Sequence, residues 1–206
     1  MSNTLKTLWV LLVLLVFIAV LGKVLVFEIV RTDSYSMVPN LFPGDVFLVN
    51  RRASLDLGDI AVCKNPKSGT LMASRIIGVP GTTVAMKNDR LYVDGKEIQG
   101  ENQGEKKYIN NESNERLEFK VQIYREYFAG WHMDVARMNR SGYKNMRTRK
   151  VEFGLFLMGD NRNRATDSRD FDEIPASNCI GQATIIIWPS EDNGDFKKAD
   201  RYFKWL

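Results

Sequence analysis

Apolar positions along this chain fall into two regimes. In the first, LWVLLVLLVFIAVL (8–21) holds no polar residue, and after Gly22 and Lys23 the run resumes as VLVF to Phe27. A stretch apolar on every side has no face to turn toward water. A helix rising about 1.5 Å per residue needs about 20 apolar residues to cross a ~30 Å hydrocarbon core. Residues 8–27 meet that length if Lys23 carries its ammonium back to the interface. The competing reading is a cleaved leader, with Lys6 as charged flank and Val20-Leu21-Gly22 as a weak small-residue cut site. Lysines on the two sides barely differ in number, so the positive-inside rule assigns no orientation.

In the second regime, after Glu28, the pattern shortens to runs rich in Val, Ile, Phe and Tyr between turn signals. Strands are predicted over 29–32, 46–50, 60–64, 75–79, 83–86, 90–93, 117–124, 151–158 and 183–188. Pro43-Gly44, Leu57-Gly58-Asp59 and Pro80-Gly81 are turns, and Asp94-Gly95 is a two-residue hairpin signal. Residues 99–115 are polar and read as a loop inside an insertion. In the tail, 191–206, Phe196, Ala199, Phe203 and Leu206 would share one face of a short helix docked on the sheet.

With 206 residues, 44% hydrophobic and 26% charged, the chain is long enough for a true core, and disorder or a many-span membrane class is excluded. The net charge of +4 suggests nucleic acid until it is located. Lys6 and Lys23 supply two units, and the remaining 27 bases nearly balance 25 acids. Arg137, Arg140, Lys144, Arg147, Arg149 and Lys150 form the one basic concentration, read as a solvated strand or loop face. Cys63, Cys179 and His132 cannot make a zinc site without carboxylates, and any Ser-His-Asp enzyme would have to use His132. A bridge between the two cysteines and two separate thiols both remain open.

Directly after the apolar run stands Ser34-Tyr35-Ser36-Met37-Val38-Pro39. It is followed by Gly58-Asp59-Ile60, Arg75-Ile76-Ile77-Gly78-Val79-Pro80-Gly81, Leu91-Tyr92-Val93-Asp94-Gly95, Met158-Gly159-Asp160-Asn161-Arg162, Asp167-Ser168-Arg169 and Ile180-Gly181-Gln182-Ala183. In this order the blocks resemble the type I signal peptidases, the bacterial leader peptidases that use a serine and a lysine. The resemblance implies a mostly β, antiparallel fold: a core from 28–84 and 151–190, an inserted β region at 85–150, a cytoplasmic tail at 1–7 and one N-terminal transmembrane helix at 8–27. Because such chemistry is needed at a membrane surface, the apolar run is read as a retained anchor of the cytoplasmic membrane, with the β domain outside.

By the same resemblance Ser36 is the nucleophile, and its own N–H and the Ser34 hydroxyl are the oxyanion donors. Met37 and Pro39 shape the cleft, and Asp160, Arg162, Asp167 and Arg169 form a buried ionic scaffold beside it. Substrates would be secreted preproteins gripped as extended strands; the partners implied are preprotein or pilin-like signal segments, the lipid bilayer and an active paralogue, with no nucleic acid and no cofactor. Two positions tied to the base depart from the family, and three others differ more mildly. The base, a lysine made neutral by burial, is replaced by Ser74, whose hydroxyl has no useful basicity near neutral pH. The serine that orients that lysine is replaced by Ala165. Thr82 stands where an aspartate is usual, and Asp33 and Tyr35 where Pro and Gly are frequent. Lys67 is too far upstream to substitute without breaking the block; Lys64, at a strand end, would serve only if buried beside Ser36; His132 reads as a surface or strand residue. Two functions follow: a serine endopeptidase whose base is missing or displaced, or an inactive member that binds signal-peptide-like or pilin-like segments as an assembly factor or partner of an active paralogue.

Overall fold

The computed structural model describes residues 3–111, 116–128, 130–138 and 145–206; the side chains of residues 3, 19, 21 and 23–25 lie outside the description. Helix α1 (Asn3–Val26) carries the apolar run, and the described side chains of residues 8–18 and 20 are all exposed. Over the described residues, no helix is long and apolar enough to cross a membrane. Phe27, expected inside the apolar span, instead opens the first strand.

In chain order the strands are β1 (Phe27–Arg31), β2 (Val46–Asn50), β3 (Ile60–Lys64), β4 (Leu71–Gly78), β5 (Thr83–Lys87), β6 (Arg90–Val93) and β7 (Lys96–Glu97). They continue as β8 (Gly100–Asn110), β9 (Leu117–Phe128), β10 (Trp131–Arg137), β11 (Met146–Lys150), β12 (Phe156–Met158) and β13 (Cys179–Trp188), with a one-turn helix α2 (Ser168–Phe171) between the last two. Antiparallel pairing joins them into three sheets, ordered β1-β2-β13-β3-β4-β12, β10-β9-β8 and β11-β5-β6-β7. The protein is mostly β, as the runs of branched residues dictate.

Within the six-stranded sheet β3 is covered on both faces, which explains why it reads as a continuous apolar run, whereas β1 and β2 alternate. Ile60 and Val62 of β3 join Met37, Phe47 and Ala73 on one side; Ala61 and Cys63 join Ile76 and Leu157 on the other. Cys63 lies opposite Cys179 in the β3–β13 register and is disulfide-bonded to it, so the open question of the two thiols resolves as a bridge. Asp94 and Gly95 both take positive φ, 50° and 76°, at the tight turn between β6 and β7, as the Asp-Gly signal requires.

Three expectations fail, each for a physical reason. The polar segment 99–115, expected as a loop, forms β8 over most of its length; its outer part is exposed on both faces and only Tyr108 and Asn110 reach the core, so no apolar alternation marked it. The pairing with β9 alone makes it a strand. The tail does not form the expected helix. A single 3-10 turn (Ala199–Arg201) precedes an extended strap in which Phe203 N–H donates to Ile186 O (2.9 Å), Ile186 N–H to Lys204 O (3.0 Å) and Leu206 N–H to Thr184 O (3.0 Å). β3 pairs with β13 only up to residue 183, and the strap takes the edge left beyond it. Buried Arg201 anchors the strap by donating to both carboxylate oxygens of fully buried Asp45 at 2.8 Å. The basic concentration also splits: Arg137 pairs with Glu126 and Arg149 with Asp172, while Arg140 and Lys144 fall outside the described residues.

The third concerns 151–158, which is strand only at its end. Backbone N–H groups of Glu152, Phe153 and Gly154 donate instead to the Glu173 carboxylate (3.0, 3.0 and 2.7 Å). Desolvation alone would raise the Glu173 carboxyl, but these donors outweigh it and hold it below its ordinary 4.5. A lowered folded pKa means stability that is present above pH 4.5 and lost as pH falls through the folded value. Glu173→Gln is therefore expected to lose about 1 kcal/mol near neutral pH. Paired thermal melts check this: the gap to the parent chain must close on acidification.

Candidate active site

Ser36 sits in a tight turn after β1, held by Val38 N–H to Tyr35 O (3.3 Å) and by the N–H groups of Asn40 and Leu41 to Met37 O (2.8 and 3.0 Å). The sequence folds this way because Tyr35, Met37, Val38, Leu41 and Phe42 are all buried, split between two core clusters on either side of the turn. Ser36 is left half-buried between them. Tyr35 stacks on Tyr108 at 5.6 Å, and Asn161 clamps the turn by donating its N–H to Ser36 O (2.9 Å) and its amide to Tyr35 O (3.0 Å). Pro39, buried, follows a cis peptide bond.

Gly159 shows how tightly this region is packed. A Cβ there would lie 2.6 Å from Ser36 O and 2.3 Å from the Ala165 Cβ, so only glycine fits. Arg75 of β4 pairs with Met158 of β12, which puts Ser74 one position further along, beside Gly159. Ser36, Ser74 and Ala165 thus converge on one glycine. Ser74 is 3% exposed.

The two oxyanion donors read from the sequence are bonded to each other. Ser36 N–H donates to Ser34 Oγ at 3.1 Å, which leaves the Ser34 hydroxyl hydrogen free to donate but requires an incoming carbonyl oxygen to displace the existing bond. Both serines line a cleft of about 560 Å3 whose walls include Val30, Phe47, Val62 and Ala73. Met37 does not line it; it is packed beneath, against Phe47, Val62 and Ala73. Arg31, Asp33 and Arg164 are the ionisable residues among those lining the cleft. An arginine stays protonated and cannot accept the serine proton, and an exposed aspartate is a poor base.

None of the other candidates reaches Ser36. His132 is exposed on β10 and lines a different cavity, Lys64 is exposed at the end of β3, and Lys67 Nζ donates to the backbone oxygen of Asp170 at 3.1 Å.

The side chains of the four charged scaffold residues are buried and paired, Asp167 with Arg169 and the other two with partners the sequence did not name. Asp160 accepts two bonds from Arg75 (2.8 and 2.7 Å) and one from Asn40 (2.7 Å). Arg162 pairs with Glu126 of β9 at 2.7 Å, and Arg137 binds the same carboxylate. Asp167 takes Arg169 on both oxygens (2.8 and 2.7 Å), accepts Gly159 N–H at 2.9 Å and caps α2. Burial alone would lower Arg75, but Asp160 more than compensates; for Arg162 burial prevails and its guanidinium is pushed down. Thr82, in the usual aspartate position, closes the Pro80-Gly81 turn by accepting Val79 N–H (3.1 Å) and donating to Val79 O (2.8 Å). Glu126 gave no signal in the sequence, being one of two acids in β9 and lying beyond the predicted strand 117–124.

Fold and site together define a β protein with a peptide-sized cleft built around a serine, next to an apolar N-terminal helix. The chain belongs to the signal peptidase family, peptidase S26, whose family description matches residues 5–188. It is 26% identical to a signal peptidase I of Streptococcus pneumoniae serotype 4 over 95% of this chain and 98% of that protein. Signal peptidase I V of Bacillus subtilis is 31% identical over 81% of this chain and 89% of its own length. Among solved structures, a signal peptidase I from Enterococcus faecalis V583 covers 63% of this chain and 97% of that one at 22% identity, with a TM-score of 0.37.

Proposed function

We propose that this chain is a membrane-anchored member of the family that holds signal-peptide-like or pilin-like segments in the Ser36 cleft without cutting them efficiently, as an assembly factor or beside an active paralogue. The observation that carries this reading is the cleft itself, whose described lining offers Ser36 neither lysine nor histidine. Ser74 in the family's lysine position and Ala165 in that of its orienting serine support it. Without a base to take the Ser36 proton, an intact oxyanion site leaves a rate lower by roughly 10²- to 10⁴-fold. The walls of Val30, Phe47, Val62 and Ala73 suit small side chains of an extended segment.

In this proposal α1 is a single-pass anchor in the cytoplasmic membrane, supported by apolar side chains exposed along its described length. The Cys63–Cys179 bridge supports placing the β domain on the oxidising side. The second reading, a slow serine endopeptidase, is favoured by the retention of Ser34 and Ser36 in hydrogen-bonding contact.

The test uses the full chain in detergent with a purified preprotein. Saturable binding without processing is expected for both the parent chain and Ser36→Ala. Processing by the parent chain that Ser36→Ala abolishes would establish the endopeptidase; absence of both binding and processing across several preproteins would sink both readings.

A further inference from the structure

A second cavity, of about 440 Å3, lies away from Ser36, between the start of β10, the Gly58 turn, β13 and the C-terminal strap. We propose that it is a binding site for a neutral saccharide unit, with Trp131 and Trp205 as stacking platforms and Gln182, Thr184 and Lys204 as hydrogen-bonding groups. The proposal is independent of how the Ser36 cleft is used.

The two indoles are its first support. Both line this cavity and both are 75% exposed, a costly arrangement for the largest apolar side chain when nothing covers it. Neither is on a loose segment. Trp131 opens β10 opposite Phe128, with its Cδ1 3.9 Å from where a Cβ on Gly58 would stand; Trp205 bridges to Ile185, and the next residue is bonded to Thr184. Rigid aromatic rings carrying one polar edge suit ligands that present an apolar C–H face ringed by hydroxyls.

The polar groups are the second support. Lys204 Nζ donates to Asn40 Oδ1 (3.1 Å), which leaves two N–H directions among the described residues. Gln182 spends one N–H on Asp59 (2.7 Å) and keeps its carbonyl oxygen; Thr184 donates to Leu48 O (3.2 Å) and keeps its acceptor lone pairs. Donors and acceptors are mixed, as a polyol needs.

Charge selects a neutral ligand. Arg75 is consumed by Asp160 and Gly58 O, and Asp134 by Arg125. Burial pushes the Lys204 amine down and the Asp59 carboxyl up, each toward its uncharged form. The two charged groups left, Asp59 and Lys204, are of opposite sign, so the lining offers no net charge to a charged ligand. The volume lies within the ~300–1,000 Å3 typical of small-molecule sites.

The test is calorimetric titration of the full chain, in a detergent without a sugar headgroup, with cellobiose, N,N′-diacetylchitobiose and glucose 6-phosphate. Expected is saturable binding of at least one neutral disaccharide with Kd on the order of 0.1–1 mM and weaker binding of the phosphate. Trp131→Ala, Trp205→Ala and Lys204→Met should each weaken it about tenfold, whereas Trp188→Ala, an exposed indole outside the cavity, should leave it unchanged. Near-UV circular dichroism confirms that each variant is folded, and Trp131→Phe, which keeps a stacking face, should retain most of the affinity. No saturable binding by folded parent chain overturns the proposal. So does binding indifferent to both tryptophans, or tryptophan-dependent binding to phosphatidylglycerol vesicles without sugar binding, which would make the indoles a lipid contact.

Discussion

Ser74→Lys combined with Ala165→Ser is expected to turn the Ser36 cleft into an efficient peptidase. Ser74 stands beside Gly159, which touches both Ser36 O and Ala165, so the new amine and its orienting hydroxyl would enter at the convergence of all three elements. The site is almost closed to solvent, and burial depresses an ammonium toward a neutral, proton-accepting amine. Supplying a positioned base contributes roughly 10²- to 10⁴-fold. Preprotein processing should rise by that order in the double variant, vanish again when Ser36→Ala is added, and increase with pH through the depressed amine pKa. Ser74→Lys alone should give less, because nothing fixes the amine's direction. A folded double variant that binds preprotein and still leaves it uncut would show that the oxyanion site, held closed by the Ser36 N–H to Ser34 Oγ bond, and not the base, is what the cleft lacks.

The largest loss of stability is expected from Asp160→Ala. This carboxylate is fully buried and takes two bonds from an Arg75 that is itself buried, together with the Asn40 amide. Removing it strands a largely buried guanidinium. Breaking a buried pair on one side costs about 3–5 kcal/mol, a fall of roughly 10 °C in Tm for a chain of this size. The Ser36 turn should loosen as well, since Asn40 ends it and Asn161, next in sequence, clamps it. Changing both partners, Asp160→Leu with Arg75→Met, should recover much of the loss, because the stranded charge disappears with the pair. Thermal melts of the three variants check this; a double variant no more stable than Asp160→Ala would mean that the Asn40 bond, and not the ion pair, carries the effect.

Where apolar residues made a pattern, the strands were legible from the chain. The strands 46–50, 60–64 and 90–93 have the boundaries the pattern predicts, and the Asp94-Gly95 hairpin follows from the two positive φ values it needs. β8 was invisible because residues 100–106 face water on both sides, and the tail was misread because a free stretch of sheet edge attracts backbone hydrogen bonds that no side-chain periodicity reports. For the cleft, the sequence alone pointed to Ser34 and Ser36, which both line it, but also to Met37, which is packed beneath it, and it showed that His132 is the one histidine of the chain. Only the tertiary structure decided where that histidine is, on the rim of another cavity, and which partners neutralise the scaffold, Arg75 for Asp160 and Glu126 for Arg162. The physical reason is range. Periodicity and turn chemistry act over a few neighbouring residues, whereas pairing charges and enclosing a cavity depend on contacts between segments tens of residues apart.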